Sequence, residues 1–158
     1  MTARTGWIVL LSCCISACNK DDGCPMEAEI TPGCGVLVGG EPLRIGDTVD
    51  TVTEAHGEPT WLELGAAGTR FDYPSDGVTG FASADEVVTS VQVGSAFAGN
   101  TPDELSVGST LTQVQAAHGA ATTDPYTGAQ HYPELGISFE ISDEAVERVH
   151  VFAPQKDW

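Results

Sequence analysis

Two histidines occupy matching places in a repeated pattern. Ile45-Gly-Asp-Thr-Val-Asp-Thr-Val-Thr-Glu-Ala-His-Gly57 aligns with Val107-Gly-Ser-Thr-Leu-Thr-Gln-Val-Gln-Ala-Ala-His-Gly119 at an offset of 62. A symmetric pair such as His56 and His118 could ligate a metal or move a proton. Each, however, directly precedes a glycine placed to end a short helix, where an imidazole packs and interacts favourably with the helix dipole when charged. They are read as structural, and no metal ligand is assigned. The sequence holds no Gly-x-Ser-x-Gly elbow, His-Glu-x-x-His pair, phosphate-cradling glycine loop or dinucleotide fingerprint. Its carboxylates are scattered rather than alternating over a calcium loop. The expectation is a protein without catalytic residues and without a cofactor.

The cysteines carry more specific chemistry. Arg4 and the apolar run from Trp7 to Ala17 have the form of a secretory leader, residues 1–17. At 11 residues, that run is too short for a permanent membrane span. Cys13 and Cys14 would leave with the leader. Of the three that remain, Cys24 and Cys34 form an even pair in an exported, oxidising setting. Their spacing is not the close Cys-x-x-Cys of a metal or redox site, so a structural disulfide is expected between them.

The leader ends in Ile15-Ser16-Ala17-Cys18, which resembles the lipobox of bacterial lipoproteins. The resemblance implies that Cys18 carries a thioether-linked lipid and becomes the first residue of the mature chain. Asn19 follows it, and by the same resemblance favours the outer membrane over the inner. The polar stretch Asn19–Gly23 then reads as a tether.

The charge balance narrows the partners. Six Lys and Arg stand against 23 Asp and Glu, a net charge of −17. That excludes a general nucleic-acid binder, whose phosphate contacts require a basic face. It equally excludes charge-driven adsorption to anionic lipid, so membrane attachment rests on the lipid at Cys18.

The repeat sets the expected architecture. Thr48 and Thr110 sit at N-cap positions, and Thr110 with Gln113 fits a capping box. Val49, Val52 and His56, like Leu111, Val114 and His118, form one-sided helical stripes. Gly57 and Gly119 fall where a helix ends in the left-handed conformation. Alternating segments follow: Phe71 and Tyr73, Val78 to Phe81, and Val87 to Val93 in the first copy; Ile137 to Ile141, a turn at Ser142-Asp-Glu144, and Val149 and Val151 in the second. The fold class expected is α+β: two tandem repeats, each a short helix followed by a three-stranded antiparallel sheet, sharing a core or a joined sheet because about 50 residues are marginal alone. The boundaries are 18–42 for the lipidated cysteine, tether and disulfide loop, 43–101 for the first repeat and 102–158 for the second. On the last strand Arg148 and His150 alternate with core valines and should face away from the helices. Phe81 shares that open side, so Phe81, Arg148 and His150 are the candidate partner surface.

The pattern Gly-x-Thr-x-x-x-Val-x-x-x-His-Gly, then Tyr, then Gly-Val/Ile-x-Phe, resembles the helix-plus-sheet domains of two families. One is the small outer-membrane lipoprotein of the β-barrel assembly machinery; the other is the β-lactamase inhibitory protein, with two copies in tandem. The resemblance spans roughly residues 43–152 and implies fold rather than activity. The expected function is a non-catalytic, lipid-anchored envelope protein that binds a protein partner. The alternative is a proteinaceous inhibitor of an envelope or secreted enzyme, such as a β-lactamase or protease.

Mass spectrometry of the mature protein should therefore show a chain beginning at an acylated Cys18. Cys18→Ser should release the protein from membranes or leave it uncleaved. A soluble wild-type protein with a free thiol at position 18 would contradict the reading.

Overall fold

The structure is a computed structural model that describes residues 24–65 and 68–155. The leader, Cys18 and Asn19 lie outside the described residues. The described chain is mostly β, which corrects the expectation of two tandem helix-plus-three-strand repeats. Residues 30–44, most of them within the 18–42 region expected to be tether and disulfide loop, form a three-stranded sheet of β1 (Ile30–Thr31), β2 (Gly35–Val38) and β3 (Glu41–Arg44). Helix α1 (Val49–His56) then leads to β4 (Trp61–Gly65), β5 (Gly68–Tyr73), β6 (Val78–Ala82) and β7 (Val88–Val93). Helix α2 (Leu111–His118) leads to β8 (Thr122–Thr123), β9 (Gln130–Tyr132), β10 (Ile137–Ser142) and β11 (Ala145–Phe152). The last eight strands form one antiparallel sheet in the order β4-β5-β6-β7-β11-β10-β9-β8.

Physical reasons account for the small sheet's hairpin and for the joining of the large sheet. A two-residue Gly39-Gly40 loop, with φ of 60° and 90°, closes the β2–β3 hairpin, a turn that twists with its strands. Pro42 is tolerated in β3 because that strand lies at the edge of the small sheet. The large sheet is continuous because separate sheets would leave β7 and β11 as exposed edges. They pair instead, Val93 opposite Val149 and Val91 opposite Val151. All four valines are fully buried. At roughly 1.5–3 kcal/mol per buried side chain, this seam is a major part of the core.

One face of the sheet is covered. Phe71, Tyr73, Val78, Ile137 and Phe139 join the seam valines there. Ile30, Val36 and Leu43 of the small sheet, Val52 of α1 and Val114 of α2 complete the same core. Strand β2 packs against β7 and β11, directly over the seam. Gly80 has its place because the ring of Phe71 lies across it; a Cβ there would come within 2.0 Å of that ring.

Both helices are held at their ends by the sheet. The Thr48 hydroxyl accepts from the Thr51 N–H at 3.2 Å, and the Thr110–Gln113 capping box is complete. The next free helix donors, Val49 N and Leu111 N, donate to the carbonyls of Glu86 and Glu144, each at 2.9 Å. Those two carbonyls are presented by tight turns in which both glutamates hold positive φ, 58° and 64°, a conformation costly for a residue with a Cβ. At the other end, the Tyr73 hydroxyl donates to the Gly57 carbonyl at 2.8 Å and Tyr132 to the Gly119 carbonyl at 3.1 Å.

The terminating glycines also differ from expectation. Their φ values, 81° and 78°, are positive, but ψ is 178° and −150° rather than left-handed helical. This extended, positive-φ region is essentially reserved for glycine. Nothing lies within 4 Å of a Cβ built at either position, so backbone strain alone sets the cost of substitution. Gly57→Val and Gly119→Val should each lose about 1–3 kcal/mol, read as a lower denaturation midpoint with an unchanged slope. A loss confined to one of the two, or none, would contradict this account of the helix ends.

Candidate functional site

The face of the sheet opposite the helices carries the chemistry. Strand register places one side chain from each of six neighbouring strands in a row across it: Asp72, Thr79, Gln92, His150, Ser138 and His131. Beside this row lie Arg70, Phe81, Ser90 and Phe152. The alternation that buries Val149 and Val151 on one face forces Arg148, His150 and Phe152 onto the other.

Phe81, Arg148 and His150, singled out by alternation alone, share this face. The rings of Phe81 and His150 meet edge-on at 6.2 Å, and His150 meets Phe152 at 5.7 Å. These three partly buried rings form an aromatic ridge running from β6 to β11. Arg148 stands nearby, its guanidinium donating to Glu140 at 2.8 Å and to Glu147 at 3.4 Å. Glu140 also accepts from the Gln92 amide at 3.0 Å, which links β7 to β10 across β11. On the other flank Arg70 pairs with Asp72 at 3.2 Å, and the Thr79 hydroxyl donates to the same carboxylate. Between the two arginines runs an open groove of about 590 Å³, bordered by Asp72, Thr79 and Gln92.

The face therefore combines a polar row across the sheet with an aromatic ridge that runs from that row into the one beside it. Arginine and aromatic side chains are the residue types that dominate binding energy at protein interfaces. Arg70, Asp72, Gln92, Glu140 and Phe152 were not identified from sequence. Phe152 was legible, since it continues the Arg148–His150 alternation. The others needed the strand register. A further projection is Tyr126, which is 96% exposed on the turn between β8 and β9. The Asp124 carboxylate pins that turn by accepting the N–H groups of Thr127 and Tyr126, each at 2.8 Å. The same bonds, Thr127 first, hold its carboxyl below the usual carboxylate range.

The repeated histidines are not brought together as a site. His56 accompanies Tyr73 edge-on at 6.1 Å, and its Nε2 lies 3.2 Å from the Pro42 carbonyl. His118 stacks on Phe139 at 5.8 Å and packs beside Tyr132 at 5.1 Å. Both pack at helix ends. Among the described residues, no three His, Cys, Asp or Glu side chains converge as a metal site would require. Cys24 and Cys34 are joined by a disulfide with Cα atoms 5.5 Å apart. It ties the start of the described chain to the buried Cys34 beside β2.

No protein-family model matches the sequence, and no curated protein matches it significantly. Among solved structures, the chain is similar to an extracellular protein containing an SCP domain from Bacillus anthracis strain Ames. The identity is 14% and the TM-score 0.46, covering 69% of this chain and 44% of that one. The chain thus spans less than half of that protein, and nothing is carried over at this level of likeness.

His150 is the titratable centre of the face. Burial among the aromatic rings pushes its pKa below 6.5; Glu140 opposes that shift and His131 adds to it. A histidine whose folded pKa is depressed takes up its proton more readily in the unfolded chain. The stability it contributes is complete above about 6.5 and falls as the pH drops from there through the folded pKa. By NMR, the His150 ring should titrate with a midpoint below 6.5. His150→Gln should shrink the loss of melting temperature between pH 7.5 and pH 5.5. A midpoint at or above the ordinary histidine value would contradict the burial argument.

Proposed function

We propose that this chain is a non-catalytic, lipid-anchored protein of a bacterial envelope, on the outer membrane, that binds a protein partner through the open face of its large sheet. The observation that carries the reading is the Phe81–His150–Phe152 ridge, flanked by Arg70 and Arg148. Aromatic rings on a face that the described helices and the small sheet leave open contribute little to the core, and such side chains are the ones a partner desolvates with greatest gain. The leader that ends just before Cys18 supports the anchoring, and the disulfide supports an oxidising compartment. An envelope or secreted enzyme inhibited through this face is one class of partner.

Site-specific photocrosslinking in the native envelope tests this. A benzoylphenylalanine at position 81 or 152 should trap one discrete protein, whereas one at Glu54 on the exposed side of α1 should trap none. Phe81→Ser should weaken capture of that protein by about tenfold or more without changing the circular dichroism spectrum. Adducts formed from position 54 alone would contradict the reading.

A further inference from the structure

The six Lys and Arg of the chain include Arg4, Lys20 and Lys156, all outside the described residues. Of the remaining three, Arg44 lies on β3, while Arg70 and Arg148 lie on the open face. Both open-face arginines are engaged by carboxylates: Arg70 by Asp72, and Arg148 by Glu140 and Glu147. Their charge is thus neutralised in place, and the field over the face is set by a chain of net charge −17. The aromatic ridge lies within that field, and the faces of its rings carry the negative lobe of the aromatic quadrupole.

We infer that the occupant of the open face is a cationic protein segment, one that lays Lys or Arg side chains over Phe81 and Phe152 while aliphatic neighbours cover the ridge. This rests on the reading of the open face as the binding surface and adds to it the chemistry of the partner. The rings and the overall charge both favour a cation. The rings attract it through their faces. Glu140 accepts from Gln92 and Arg148, so its carboxylate offsets the guanidinium that would otherwise repel a cation beside the ridge. The acidic surface steers a basic partner towards encounter and repels an acidic one, so the complex forms faster at low ionic strength.

Two synthetic peptides serve as probes, acetyl-Lys-Leu-Lys-Leu-Lys-amide and acetyl-Glu-Leu-Glu-Leu-Glu-amide, titrated separately into the isotope-labelled mature protein in detergent. The basic peptide should shift the amide resonances of Phe81, Glu140, His150 and Phe152, while Asp50 and Glu54 on α1 stay in place. Its affinity should fall at least threefold between about 50 and about 300 mM salt, and Phe81→Ser with Phe152→Ser should weaken it similarly. The acidic peptide should leave the spectrum unchanged. Shifts from the acidic peptide at the open face would overturn the charge assignment while leaving the binding surface intact. Shifts from the basic peptide scattered over α1 and other acidic surface, or none with either peptide at millimolar concentration, would overturn the inference. The photocrosslinking at positions 81 and 152 then decides independently whether the surface itself stands.

Discussion

The antiparallel pairing of β7 with β11 is the constraint from which the rest of this molecule follows. Val91, Val93, Val149 and Val151 meet there with no solvent exposure, and strand β2 closes over them. Without the seam, the chain would hold two four-stranded sheets, each with a bare interior edge and too little apolar surface to be stable alone. With it, the small sheet and both helices gain a single surface to pack against. The edges left over are β4 and the two-residue β8, and a very short edge strand is one of the ways proteins discourage unwanted pairing.

Binding capacity comes from the same pairing. A strand that buries alternate valines must turn its other side chains outward, and β11 turns out Arg148, His150 and Phe152. Pairing across the seam then sets His150 opposite Gln92 and Phe152 opposite Ser90, with Phe81 one strand further on. The aromatic ridge therefore draws its members from both sides of the seam. Neither half of the chain could assemble it alone. Rigid strands, rather than loops, hold these side chains at fixed spacing, so little conformational entropy remains to be lost when a partner docks.

Local signals were legible in the sequence, and long-range pairing was not. Thr48, Thr110 and Gln113 act as caps where the pattern placed them, because a helix start depends on residues three positions apart. The turn at Ser142-Asp-Glu144 was equally local. The cysteine pair was found by compartment and arithmetic. What failed was strand counting. The Gly39-Gly40 hairpin has a recognisable turn signal between apolar residues, but it sits inside a stretch whose disulfide and prolines favour a loop, while β8 is too short to alternate. The small size of each copy pointed to a shared core or a joined sheet, but which edges meet, β7 with β11, is encoded in no window of residues. For the site, alternation correctly placed Phe81, Arg148 and His150 on one face. Arg70, Asp72 and Glu140 emerged only once the register set them beside those three.

Native-state hydrogen exchange along the chain tests the central role of the seam most directly. The slowest-exchanging amides should be those of β7 and β11 around Val91, Val93, Val149 and Val151, opening only with global unfolding. Amides of β5, β6 and β10 should report that same limiting free energy as one cooperative unit. Fast exchange at the seam, with the two groups of strands protected to different limits, would show two independently folding sheets in contact and contradict this account.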